Sequence, residues 1–184
     1  MTTLPAPLLW TLDDYHQLID SGLLAGRRVQ LLEGQLIEMP PMNAPHIGAM
    51  KYLYRVFVLA LGERVSSQTP IILPAGEDRP ASEPEPDVFV SEPGAPLKPR
   101  IEQVALLIEV SDTTIEHDRA HKVTLYRAAG ATEVWLVDLP QQVVHVYRRG
   151  DPEERYAAPA RLAPLCAPQL VIEVATIFTA SQQP

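Results

Sequence analysis

Apolar residues fall in short, separated blocks along the chain, and the spacing within each block predicts its element. The longest block, Val104-Ala-Leu-Leu-Ile-Glu-Val-Ser111, is an almost unbroken apolar run of strand length. Such a run predicts a strand buried on both faces, in the middle of a parallel or mixed sheet. After a short polar link, Glu116 to Ala129 reads as a helix stopped by Gly130. Asp118, Lys122, Leu125 and Ala129 share one stripe of that helix. Leu125 and Ala129 turn the stripe toward the sheet and carry Lys122 with it. Pro45 to Leu61 predicts a second helix, with Ile47, Met50, Leu53, Tyr54, Phe57, Val58 and Leu61 on a buried face and Gly62 to close it. Thr11 and Asp14 form a capping pattern ahead of a short helix, Leu12 to Ile19, that ends near Gly22.

Strand-like blocks fill the rest. Val29 to Met39 reads as a hairpin around Glu33-Gly34, ended by Pro40 and Pro41. Arg64 to Leu73 predicts a strand with Val65, Ser67, Thr69 and Ile71 on one face, followed by a loop from Pro74 to Pro84. Glu85 to Val90 predicts a short strand entered through Pro86, with Asp87 and Phe89 on one face and Val88 and Val90 on the other. Glu133 to Leu139 and Gln142 to Arg148 predict an antiparallel pair joined by a turn at Leu139-Pro140. Residues 149 to 168 hold one or two edge strands, and Leu170 to Thr179 a last strand or short helix. No repeat or linker divides the chain, so residues 1–184 are expected to form one domain.

Composition narrows the class. A chain of 184 residues with 46% hydrophobic content supports a globular core. The apolar runs are too short for a bilayer, and no basic region precedes an apolar stretch at the N-terminus. Cys166 is the one cysteine and can form no internal disulfide, so a cytoplasmic protein with no membrane partner is expected. A net charge of -8 argues against a protein that coats nucleic acid by charge alone. It is compatible with a nuclease, because acids that hold a metal make a site negative until the ion reverses the local field.

The candidate chemistry lies on three elements. Asp87 opens one core strand, Glu109 interrupts the next, and Lys122 lies on the helix that follows. A carboxylate within an apolar strand is costly unless it is paired, hydrogen-bonded or bound to a cation. Glu109 and Lys122 therefore allow two readings: a structural ion pair, or part of a catalytic site. Asp87, Glu109 and Lys122 in this order make a pattern of metal-dependent phosphodiesterases. Two carboxylates hold a hard divalent ion, Mg2+ with Mn2+ as a substitute. The ion acidifies a bound water and neutralises charge on the phosphate, and a lysine orients the water or stabilises the transition state.

The ordered residues Leu31-Leu-Glu-Gly-Gln-Leu36, Pro86-Asp87-Val88, Ile108-Glu109-Val110-Ser111, Asp118, Lys122, Tyr126, Ala129-Gly130 and Glu133-Val-Trp-Leu-Val-Asp138 carry a resemblance. The chain resembles the Uma-two family of restriction-endonuclease-like proteins, within the PD-(D/E)XK nuclease superfamily. The resemblance implies an α/β restriction-endonuclease-like core, a mixed sheet flanked by helices. It also implies that Asp87 and Glu109 are metal ligands and that DNA is the substrate. The superfamily places its lysine two residues after the second acid, where this chain has Ser111; in the family the lysine lies on the helix, where Lys122 matches. Many relatives carry an acid at Gln30, which here offers a carbonyl oxygen and no charge. His46 also matches a position often histidine in relatives and can face the site, with helix capping or surface packing as the alternative.

The remaining candidates have plainer readings. His117 and His121 are a helical turn apart and read as solvated rather than chelating. Asp138 reads as a turn former and Glu33 as a turn residue, with substitution for the acid missing at Gln30 as its alternative. Asp118 reads as a helix cap or ion-pair partner, with support of the metal ligands as the lesser reading, and Tyr126 and Trp135 read as core. Lys51 and Arg55 read as a solvated helix face rather than a nucleic-acid contact. Three functions follow: a Mg2+-dependent endonuclease cleaving DNA; a nuclease-fold binding or scaffold protein with little activity, favoured by Gln30 and the acidic surface; and a different metal-dependent phosphohydrolase acting on nucleotides. Cleavage of both strands needs two sites, so a homodimer fits the first function.

Overall fold

The computed structural model describes residues 7–77, 79–112 and 119–182. Helix α1 (Leu12–Asp20) starts at the expected capping box: Asp14 N–H donates to Thr11 Oγ1 and Thr11 N–H donates back to Asp14. The hairpin follows as β1 (Val29–Leu32) and β2 (Gln35–Glu38), paired in register Leu31 to Leu36. Glu33 and Gly34 take positive φ values of 48° and 75°, the left-handed pair that a two-residue hairpin turn requires. Helix α2 (Ala44–Leu61) is capped by Asn43, whose Oδ1 accepts from His46 N–H, and it ends at Gly62.

Among the described residues the main sheet has six strands in the order β3 (Val65–Ser66), β4 (Val88–Ser91), β5 (Val104–Ser111), β6 (Glu133–Asp138), β7 (Val143–Arg148) and β8 (Glu154–Ala157). Only β5 and β6 run parallel; the other neighbours are antiparallel. A parallel pair needs a crossover, and the chain between them carries helix α3 (Thr124–Ala128). A second antiparallel pair, β9 (Arg161–Leu162) with β10 (Ile172–Glu173), leads into helix α4 (Val174–Ser181).

Alternation along the strands divides the core between two faces. Val88, Val90, Leu106, Ile108, Val110, Trp135 and Val137 pack against Leu53 and Phe57 of α2 and Ile177 and Phe178 of α4. Phe89, Leu107, Val134 and Leu136 pack on the other side against Val123, Leu125 and Tyr126. The α2–α4 crossing is close at Gly48: a Cβ added there would lie 2.5 Å from the Ala180 carbonyl oxygen. Gly48→Ala is therefore expected to lower unfolding free energy by about 1–3 kcal/mol, read from urea denaturation; unchanged stability would mean the helices part at no cost.

Two elements differ from the sequence-based expectation. The strand over Arg64 to Leu73 is confined to Val65–Ser66. Gln68 has a positive φ of 49° and Pro70 lacks an N–H, so a regular ladder stops there. The segment instead follows 84–87 irregularly, with Gln68 N–H donating to the Pro86 carbonyl and Ile71 N–H to the Pro84 carbonyl. In the helix expected over Glu116 to Ala129, the described part begins with a π-helical turn, Arg119–Val123, before α3. His117 and Asp118 lie outside the described residues. The predicted stop holds: Gly130 N–H donates to the Arg127 carbonyl and Ala131 N–H to the Tyr126 carbonyl, a Schellman closure with Gly130 at φ 86°. Tyr54, expected on the buried face of α2, is 39% exposed.

Candidate active site

Asp87 sits one residue before β4, on the same side of the sheet as Phe89, and Glu109 lies on β5 on the side of Leu107. The antiparallel register pairs Val88 with Ile108, so one step further sets Asp87 beside Glu109. Both strands are buried along their length, and the acids are 7% and 1% exposed. Each is held by donors. Val110 N–H donates to Asp87 Oδ2 at 2.8 Å, and His46 Nε2 lies 3.0 Å from Asp87 Oδ1. Lys122 Nζ donates to Glu109 Oε2 at 2.9 Å, and the Tyr126 hydroxyl donates to Oε1 at 2.6 Å. Lys122 and Tyr126 are a helical turn apart, so one helix reaches both oxygens of the carboxylate. The structure thus brings Asp87, Glu109 and Lys122 together, and the Glu109–Lys122 ion pair is part of that assembly.

A cleft of about 100 Å³ opens over the group. Its wall includes Asp87, Lys122 and His46, the acids Glu85 and Asp112, and Gln30 and Arg28. Glu109 lies under Lys122, almost wholly buried. Asn43 joins two sides of the cleft, since it caps α2 and its Nδ2 donates to Asp112. Gln30 is 2% exposed, and its Oε1 has no hydrogen-bond partner among the described residues. A buried carbonyl oxygen left without a donor costs about 1–3 kcal/mol.

The cleft shifts two of its groups. Burial pulls the His46 imidazole down, but its hydrogen bond to Asp87 and the charges of Asp87 and Glu109 outweigh both burial and Lys122, leaving it above its ordinary value. Burial pushes the Glu85 carboxyl up, with Arg28 and Lys122 opposing and Glu83 adding to the rise. A histidine raised in the folded state adds stability that is complete below its unfolded value of 6.5 and is lost as pH rises through the folded value. Melting temperature should therefore fall more between about pH 6 and about pH 8 in the wild type than in His46→Gln. Parallel curves would contradict this contribution.

Other expectations resolve simply. Asp138 Oδ1 accepts from Gln141 N–H at 2.9 Å, the turn role expected. Trp135 and Tyr126 are fully buried, as core residues should be. Glu33 is an exposed turn residue, and His121 is exposed. Cys166 is half-buried beside the core, with its thiol pushed up by burial. His46 faces Asp87, the site-facing one of its sequence readings. One site contact escaped the sequence reading: Tyr126 carries a hydrogen bond to Glu109 in addition to its packing, and only the spacing of four between Lys122 and Tyr126 hinted at it.

A mixed α/β sheet with helices on both faces, and two acids and a lysine gathered on adjacent strands and a helix, define a restriction-endonuclease-like architecture. The chain belongs to the Uma2 family, described as "Putative restriction endonuclease", which matches residues 12–175. It is also similar to the crystal structure of a "putative nuclease belonging to DUF820" from Anabaena variabilis, with a TM-score of 0.63 and 20% identity over 95% of this chain and 99% of that one. At that identity the likeness speaks for the fold. No curated protein matches the chain. Among the described residues no helix is long and apolar enough to cross a membrane.

Proposed function

We propose that the chain is a Mg2+-dependent endonuclease that hydrolyses DNA phosphodiester bonds, with Asp87 and Glu109 as metal ligands and Lys122 as the assisting cation. The observation that carries the reading is the convergence of these three side chains, with Asp87 and Lys122 on the wall of one cleft and Glu109 buried beneath Lys122. The donor set fits the ion. Carboxylate oxygens are hard ligands, and the unpartnered Oε1 of Gln30 adds a neutral oxygen in the same wall. Mg2+ is commonly held by one or two carboxylates and keeps several waters, so Asp87 and Glu109 could hold it without a further charged ligand. When bound, such an ion supplies an acidified water and charge to offset the phosphate.

The chain's own groups do the rest. His46 and Val110 N–H fix the plane of the Asp87 carboxylate. Lys122 lines the cleft, so its ammonium can stabilise charge that grows on a phosphate there. A cleft of about 100 Å³ is small beside the roughly 300–1,000 Å³ of pockets that enclose whole small molecules. It fits an ion and a phosphoryl group, with the polymer outside, which favours a nucleic acid over a free nucleotide. Purified protein with Mg2+ or Mn2+ is expected to cleave linear or supercoiled DNA and to stop on chelation. Intact DNA under all these conditions overturns the reading.

The second reading is a binding protein of low activity. It is motivated by Gln30, which brings no charge, and by Glu109, whose two oxygens are both engaged. Titration calorimetry separates the two: Mg2+ or Mn2+ binding that disappears in Asp87→Ala favours the nuclease, and no binding favours the scaffold.

A further inference from the structure

Tyr126 reads as a core aromatic from sequence, and it is fully buried against the sheet. Its hydroxyl nevertheless lies on the candidate site, donating to Glu109 Oε1 at 2.6 Å. We propose that Tyr126 is a positioning residue that fixes the Glu109 carboxylate for the divalent cation. This rests on the assignment of Glu109 as a ligand under Proposed function.

The terminal torsion of a glutamate is broad and nearly two-fold, so one contact leaves the carboxylate plane loosely set. Among the described residues two donors act on separate oxygens, Tyr126 on Oε1 and Lys122 on Oε2. The two are not equivalent once a cation arrives. Lys122 carries a like charge and lines the cleft, so a divalent ion at Glu109 repels it toward the cleft and the phosphate. The phenol is neutral, with no such repulsion to move it. Tyr126 is then a contact that persists in both states. It keeps Glu109 in place while Lys122 changes partner. Groups that orient a metal ligand in this way are worth about 10–100-fold in metal affinity.

Mn2+ titration by calorimetry tests this on the full chain. Tyr126→Phe removes the donor and keeps the ring and its packing, so the fold is retained and circular dichroism verifies it. Trp135→Phe is the control, because it deletes a buried indole donor that serves Glu133 on the opposite face of the sheet. Tyr126→Phe is expected to weaken Mn2+ binding by about 10–100-fold, and Trp135→Phe to leave it unchanged. The Mn2+ concentration for half-maximal cleavage should rise in parallel. Equal affinity in wild type and Tyr126→Phe overturns this inference alone. A wild type that binds no Mn2+, or binds it equally after Asp87→Ala, overturns the cation site and this inference with it.

Discussion

Asp87→Asn should lower the rate of phosphodiester cleavage by at least about 1,000-fold while leaving the fold intact. The asparagine has nearly the same shape and can still accept from Val110 N–H, the buried contact that ties the start of β4 to the end of β5. What it loses is the negative charge, and with it the attraction for a divalent ion. A thousand-fold is about 4 kcal/mol of transition-state stabilisation, within what an ion supplies by neutralising phosphate charge and acidifying a water. Single-turnover cleavage at saturating DNA reads the effect. A variant within about ten-fold of wild type would remove Asp87 from the chemistry.

Glu133→Ala is expected to destabilise the protein by about 3–5 kcal/mol, with little effect on Mn2+ binding. Glu133 is a fully buried carboxylate that accepts from Trp135 Nε1 at 3.0 Å, Arg148 Nε at 3.1 Å and Leu165 N–H at 2.7 Å. It thereby joins β6, β7 and the loop before β10. Truncation deprives three donors of their acceptor, at about 1–3 kcal/mol for each buried group left unmatched, while the half-buried Arg148 keeps Glu154 as a second partner. Urea denaturation reads the loss. A cost below about 1 kcal/mol would mean that water enters and replaces the carboxylate.

The parts of the fold that were legible are those where one local rule dominates. The apolar run of β5, the three-and-four spacing of α2 and the Glu33-Gly34 hairpin each have one physical solution, and the structure has it. Arg64 to Leu73 misled because alternation persists in the sequence while Gln68 and Pro70 break the backbone. The candidate site was legible as a cluster where a charge stands in an apolar setting. Glu109 within β5 and Lys122 on an inward stripe have to be paired, and pairing brings them together. Asp87 follows from the face it shares with Phe89. Tyr126 was hidden because a phenol on a buried stripe looks the same whether or not its hydroxyl has a task. His46 was legible only as one of two readings, because its partner lies 41 residues away in sequence, across a tertiary contact that no local pattern encodes. The burial of Gln30 was equally silent, as a short β1 with one polar residue does not say which face meets the cleft.

Anomalous diffraction from a crystal soaked in Mn2+ tests the account at its centre. A peak between the carboxylates of Asp87 and Glu109, with the Lys122 ammonium displaced from Glu109 Oε2 and Tyr126 still hydrogen-bonded to Oε1, is the expected result. Crystals that hold Mn2+ elsewhere, or hold none, with the Glu109–Lys122 pair unchanged, would contradict it and leave that pair as a structural bridge.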